Sequence, residues 1–198
     1  AALAEKGYFD KKELSTLRQY GSILQGHPDM LLTPGVDMST GSLGQGLSIG
    51  CGMALAAKIQ RKNYHVYVIT GDGELDEGQN WEALMSGAKY NLDNLTLIVD
   101  YNGLQINGSN EEVMGIAPLN KKLASFNWNV LEIDGHNFNE ITRSLDNAYA
   151  HRGGPTAIIA KTIKGKGISF MENDPSWHGK IPTNSQFDEI FNELEADA

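Results

Sequence analysis

Two short turns carry the residues of this chain best suited to hold a charged ligand. Gly71-Asp72-Gly73 sets one carboxylate between two glycines, and Asn102-Gly103-Leu104 offers an amide oxygen thirty positions later, counting from Asp72 to Asn102. Glycines beside a carboxylate permit unusual backbone dihedrals and let a ligand approach the main chain closely. A hard divalent cation of the magnesium type takes a few protein oxygens in octahedral geometry and completes its shell with water and ligand phosphates. Asp72, Asn102 and a loop carbonyl such as that of Leu104 meet that demand. A Gly-Asp-Gly turn alone also closes loops without binding anything, so a cation site requires that the fold bring the two turns together.

The flanking elements do so. His65 to Thr70 is a strand-like run, a helix-like segment follows the acidic turn, and Leu95 to Val99 is a second apolar run ending just before Asn102. Strand, turn, helix, strand and turn make a βαβ unit, whose two strands are parallel neighbours joined by a right-handed crossover. Both turns then emerge at the carboxyl edge of the sheet, where open α/β sheets bind ligands.

The stretch from Gly71 to Gln105, GDGELDEGQNWEALMSGAKYNLDNLTLIVDYNGLQ, resembles the thiamine diphosphate-binding motif in its transketolase version. The resemblance implies that Asp72, Asn102 and the Leu104 carbonyl hold the Mg²⁺, with Ca²⁺ or Mn²⁺ as substitutes, that anchors the cofactor diphosphate. It further implies cofactor contacts at Gly71, Gly73, Glu74 and Ile106. In that family a two-carbon ketol unit passes from a ketose phosphate to an aldose phosphate, through a carbanion stabilised by the cofactor's thiazolium.

Composition bounds the rest. The 198 residues suit one domain with a sizeable core, and 40% hydrophobic with 21% charged residues is ordinary for a globular protein. A formal charge of −9 argues against non-specific binding to nucleic acid or anionic membranes. One cysteine, Cys51, leaves no intrachain disulfide and suits a reducing cytoplasm. No apolar run approaches the ~20 residues that span a bilayer, and no signal-peptide pattern is visible at the start. Ala1 to Lys6 reads as the end of a helix closed by Gly7, without a capping residue or initiator Met. The resemblance implies that the family's amino-terminal segment would precede Ala1.

Along the chain, Asp10 caps a short helix, and Gln25-Gly26-His27-Pro28 breaks the segment that follows. A His in such a loop is ordinarily a surface residue; the resemblance instead implies that His27 touches the phosphorylated sugar. Thr40-Gly41-Ser42-Leu43-Gly44-Gln45-Gly46 leads into a helix from Leu47 to Ile59 whose small residues permit close packing. It lacks the spacing of a dinucleotide loop. In transketolases the matching segment lines the aminopyrimidine pocket through backbone groups, here those of Gly41 and Leu43. Gln105 to Gly115 reads as a polar loop, Pro118 to Phe126 as a helix, Asn129 to Ile133 as a strand, Phe138 to Tyr149 as an amphipathic helix and Pro155 to Lys161 as a strand. This alternation predicts an α/β fold, a doubly wound parallel sheet with helices on both faces, in a single domain over residues 1–198.

The last strand runs into Lys161-Thr162-Ile163-Lys164-Gly165-Lys166-Gly167, followed by Trp177-His178-Gly179-Lys180. Lys164 and Lys166 read equally well as a solvated loop. KTIKGKGISFMEN followed by WHGK resembles the stretch where transketolases place a His beside the diphosphate and the reacting sugar, which makes His178 catalytic alongside His27. From Gln186 onward the pattern is that of an acidic surface helix that ends the domain or leads into a linker. Family catalysis also needs a pyrimidine-binding domain whose Glu activates the cofactor. Either a separate polypeptide, the C-terminal subunit of a two-subunit transketolase, is the expected partner, in a dimer or heterotetramer, or the pyrimidine domain belongs to a longer form of this chain. Glu77, Trp81 and Glu82, early in the helix after the metal turn, are expected to meet it. Two alternatives stand beside this reading: the 1-deoxyxylulose-5-phosphate synthase or 2-oxo acid dehydrogenase branch, and a non-catalytic cofactor- or partner-binding domain.

Overall fold

The computed structural model describes residues 1–196. Four parallel strands form the sheet: β1 (Val66–Gly71), β2 (Leu95–Tyr101), β5 (Asn129–Asp134) and β6 (Thr156–Lys161). Their spatial order is β1-β2-β6-β5, so the strand that comes last in the chain lies inside the sheet. β3 (Leu104–Gln105) and β4 (Gly108–Ser109) make a small antiparallel hairpin beyond β2.

Alternation along the strands divides the sheet into two faces. Val66, Val68, Leu95, Leu97, Val99, Ala157 and Ile159 point to one face and join the main core. Helices α2 (Gln45–Ile59), α3 (Gly78–Lys89) and α5 (Leu119–Ser125) cover it, contributing Leu47, Cys51, Ala54, Ala83, Leu84, Leu119 and Leu123. Close approach of α2 depends on Gly50, because a Cβ there would stand 2.4 Å from Val68 Cγ2. Trp128 fills the gap beside α3: it is 4% exposed and its indole N–H donates to the Leu84 carbonyl at 2.9 Å. The opposite face carries α6 (Phe138–Ala150), packed on β5 and β6, and leaves Tyr67 and Ile69 of β1 exposed. Helices on both faces of a parallel sheet are the doubly wound arrangement expected.

The remaining helices are short or peripheral. α1 spans Ala2–Glu5 and Asp10 caps a 3₁₀ helix over Lys11–Thr16, its carboxylate accepting the Lys12 N–H at 2.9 Å. The segment expected to be a plain loop from Gln105 to Gly115 instead holds the β3–β4 hairpin and helix α4 (Asn110–Val113). A reciprocal capping box makes that helical turn: Ser109 Oγ accepts the Glu112 N–H, and the Glu112 carboxylate accepts the Ser109 N–H. α7 (Asn184–Ala196) packs near the loop after β6, where Leu194 approaches Gly167.

Candidate active site at the carboxyl edge of the sheet

β1 and β2 run in register, Thr70 beside Val99 and Gly71 beside Asp100, so the Asp72 and Asn102 turns leave the sheet side by side. The Asp72 N–H continues the ladder to the Asp100 carbonyl at 3.2 Å. Asp72 is 1% exposed, and both its oxygens are engaged: Oδ1 accepts the Gly73 N–H at 2.8 Å and Oδ2 accepts the Gly103 N–H at 2.6 Å. The second of these bonds crosses from one turn to the other. Asn102 Oδ1 accepts the Leu104 N–H at 3.0 Å, an Asx turn that sets the backbone around the Leu104 carbonyl.

Each carboxylate oxygen has two acceptor directions, so Asp72 retains lone pairs beyond those facing the two amides. Buried polar atoms lacking a partner gather at this same edge: Thr70 Oγ1, Asp76 Oδ1, Asn80 Oδ1 and both amide atoms of Asn110. A sixth such atom among the described residues, Asn94 Oδ1, lies at the far end of β2. Orphaned buried groups call for water or ligand. No cluster of three His, Cys, Asp or Glu side chains able to hold a metal occurs among the described residues. A cation of the Mg²⁺ type takes one carboxylate plus neutral oxygens and leaves the rest of its shell to phosphate and water. The donor set Asp72, Asn102 and the Leu104 carbonyl therefore fits it.

Glu74 serves a purpose not visible in the sequence. Its carboxylate accepts the Gly44 N–H at 2.9 Å and the Gly71 N–H at 3.3 Å, tying the Gly41–Gly46 turn to the Asp72 turn. Gly44 sits at φ 85° at the N-cap of α2, against Glu77. Gly41 (φ 128°) faces His27 so closely that a Cβ would lie 2.0 Å from its Nδ1. The glycine-rich turn thus gathers His27, Glu74 and Glu77. Leu43 projects from it, 58% exposed, above a groove of about 1070 Å³ between the loop, α2 and β1.

His178 is exposed in the loop after β6, with Nδ1 3.5 Å from Lys164 Nζ. Among the described residues no hydrogen bond ties it to the Asp72 turn. Two supports of this loop were missed by sequence reasoning. His136 Nε2 accepts the Ile163 N–H at 2.8 Å, and Glu193 of α7 accepts both the Ser169 N–H at 2.6 Å and its hydroxyl at 2.5 Å. The acidic helix therefore braces the loop that carries Lys164 and His178.

Of the residues expected at an interface, Glu77 and Glu82 are exposed, as is Met85 on the same helix. Trp81 differs. Its indole donates to the Leu75 carbonyl at 2.9 Å, its ring meets Phe126 at 5.8 Å, and it packs against the chain's own core. Ile106 stands 65% exposed at the hairpin tip.

The pattern described as "Transketolase, thiamine diphosphate binding domain" matches residues 3–194. The chain belongs to the transketolase family. It is 43% identical over 192 residues to one of the subunits of the apulose-4-phosphate transketolase of Phocaeicola vulgatus, covering 97% of this chain and 68% of that one. It is 45% identical over 195 residues to the 6-deoxy-6-sulfo-D-fructose transketolase subunit SqwG of a Clostridium species, covering 98% and 71%. Against human transketolase the identity is 41% over 202 residues, covering 98% of this chain and 31% of the larger protein. The crystal structure of Campylobacter jejuni transketolase superposes with a TM-score of 0.78 at 28% identity, over 94% of this chain and 34% of that one. The chain thus corresponds to the thiamine diphosphate-binding, N-terminal part of a transketolase and spans about a third of the single-chain enzymes. No helix among the described residues is long and apolar enough to cross a membrane.

Proposed function

We propose that this chain is the diphosphate- and Mg²⁺-binding component of a transketolase that moves a two-carbon ketol unit from a ketose phosphate to an aldose phosphate. It works with a separate pyrimidine-binding subunit, in the cytoplasm. The observation that carries this reading is the pairing of the two turns, with a buried Asp72 reaching across to the Gly103 amide. Relatives named as subunits support the two-chain arrangement.

Within that reading, Asp72, Asn102 and the Leu104 carbonyl would hold the cation that neutralises the cofactor diphosphate. Bound thiamine diphosphate supplies a thiazolium that accepts the electron pair released when a carbon–carbon bond beside a carbonyl breaks. The chain's own residues bind and orient. Gly41 and Leu43 present backbone groups from a turn that Glu74 fixes to Gly71. His27 and the Lys164–His178 pair offer donors to anionic substrate oxygens, and a neutral imidazole at either position can take or give a proton to a sugar hydroxyl. Glu77 at the N-cap of α3, with Glu82 and Met85 within it, presents exposed side chains to the partner.

The test is reconstitution. The purified chain, a candidate pyrimidine-domain partner and their mixture are assayed for ketol transfer, and their masses are measured. Transfer is expected only from the mixture, in a complex of defined stoichiometry. Substantial transfer by this chain alone overturns the two-component reading.

A further inference from the structure

The Asp72 and Asn102 turns are joined beyond the strand ends by two bridges. One is the Asp72–Gly103 hydrogen bond, whose carboxylate belongs to the cation site itself. The other lies outside that donor set. Gln105 Nε2 donates to Asp76 Oδ2 at 2.9 Å, and the Gln105 stem lies over Gly73, where an added Cβ would stand 2.8 Å from Gln105 Cγ. Asp76 Oδ1 is buried with no partner of its own.

We infer that Gln105 and Asp76 are positioning residues for cation binding, an inference that rests on the cation assignment proposed above. The group they position is the Leu104 carbonyl. That carbonyl shares one planar peptide unit with the Gln105 nitrogen and Cα. A rotation that turned the oxygen away from the site would swing the Gln105 backbone with it. Anchoring the Gln105 side chain to Asp76 and against Gly73 resists that rotation from one side. The Asx turn from Asn102 resists it from the other. Asp76 sits in the 3₁₀ turn Gly73–Asp76 that follows Asp72, so the same bond fixes the distance between the carboxylate turn and the carbonyl turn.

The bridge also differs from the Asp72–Gly103 bond in what ligand binding does to it. A cation that draws on the free lone pairs of Asp72 shares that carboxylate with the Gly103 amide and withdraws charge from the bond. The Asp76–Gln105 bond uses neither cation ligand and keeps the spacing through loading. Its acceptor is a carboxylate in a partly buried setting, where such bonds are stronger than neutral ones. Without Gln105 neither Asp76 oxygen retains a side-chain partner, so Asp76 would turn toward water and carry its turn with it.

The test uses the complex with the pyrimidine-domain partner and reads Mg²⁺ affinity by calorimetry in the presence of thiamine diphosphate, together with kcat at increasing Mg²⁺. Gln105→Met keeps the stem over Gly73 and removes only the donor. It is expected to weaken Mg²⁺ about fivefold to tenfold, only part of the strength of one hydrogen bond to a charged group because the bond also stands in the unloaded site, with kcat recovered when Mg²⁺ is saturating. The exchanged pair Asp76→Asn with Gln105→Glu restores a donor, an acceptor and the net charge, and is expected to return affinity to within about twofold of the parent. Asp72→Ala serves as reference. If Asp72→Ala binds Mg²⁺ like the parent, the cation assignment itself fails. If Asp72→Ala loses binding while Gln105→Met does not, the positioning role alone is overturned. A loss in Gln105→Met that neither excess Mg²⁺ nor the exchanged pair repairs overturns it too, because the pair then supports the fold at large.

Discussion

Replacing Asp72 with Asn tests the cation site at its centre, since the variant keeps the side-chain shape and changes only charge and acceptor count. Asp72 is 1% exposed and accepts the Gly73 N–H at 2.8 Å and the Gly103 N–H at 2.6 Å. Asn has one acceptor oxygen, so its amide nitrogen must face one of these two backbone donors. One charge-assisted bond is lost and one buried N–H is left unpaired, while relief of carboxylate desolvation works in the opposite direction. Backbone donors cannot turn away, so the unpaired N–H decides the sign. A hydrogen bond to a charged group contributes about 1.5–3 kcal/mol. Taking ~2 kcal/mol, and ~2–4 °C per kcal/mol for a domain of this size, the melting temperature without cofactor should fall by roughly 4–8 °C. The second half of the assay adds Mg²⁺ and thiamine diphosphate to the assembled enzyme. A ligand at ~100 times its Kd stabilises the native state by about 2.7 kcal/mol, which raises the melting temperature of the parent by roughly 5–11 °C. The Asn variant should show no such rise, because the cation loses its only carboxylate. A variant that melts with the parent and shifts with it on ligand addition refutes both the hydrogen-bond accounting and the cation assignment.

Three further outcomes follow from particular contacts. Burial, and then the Arg152 charge, hold the His65 imidazole below its ordinary 6.5. The folded state therefore favours the neutral ring: its contribution is complete above pH ~6.5 and is lost as pH falls through the lowered folded value. Chemical denaturation from pH 7 to pH 5 should show a decline that is shallower in His65→Gln. Burial pushes the Cys51 thiol up to about 11, so iodoacetamide at pH 8 should label the unfolded chain and spare the native one, as mass spectrometry would record. Gly50→Ala places a Cβ 2.4 Å from Val68 Cγ2 and should cost about 1–3 kcal/mol by overpacking, measured as a lower denaturation midpoint.

The strands and the site turns were legible in the sequence for a physical reason. β-branched runs such as Val66 to Thr70 and Leu95 to Val99 have few alternatives to strand, and the glycines and asparagine after them force turns at the carboxyl edge. The order of the sheet was not legible. Alternation of strands and helices says nothing of which edge receives the last strand, and β6 enters between β2 and β5 because both of its faces are apolar, from Ala157 to Ala160. Helix α4 carried a readable signal, Ser109 three residues before Glu112, that the surrounding polar residues masked. The roles of Glu74 and Trp81 could not be read at all. Glu74 meets Gly44 across 30 positions of chain, and an indole early in a helix looks the same on paper whether it turns inward to Leu75 or outward to a partner.

The insertion of β6 separates the parts of the site by how they assemble. β1 and β2 are joined through the single helix α3, so the Asp72 and Asn102 turns meet by closing a short stretch of chain. β2 and β6 pair Thr96 with Thr156, and that contact carries the larger loop-closure entropy. Until it forms, the backbone of Leu95 to Tyr101 presents an uncovered edge, rich in apolar and β-branched residues, of the kind that templates pairing between chains. Truncation before Thr156, or slow docking of β6, therefore exposes an aggregation-prone strand that holds the Asn102 turn at its end, and β6 protects the chain's solubility as well as placing the Lys164–His178 loop.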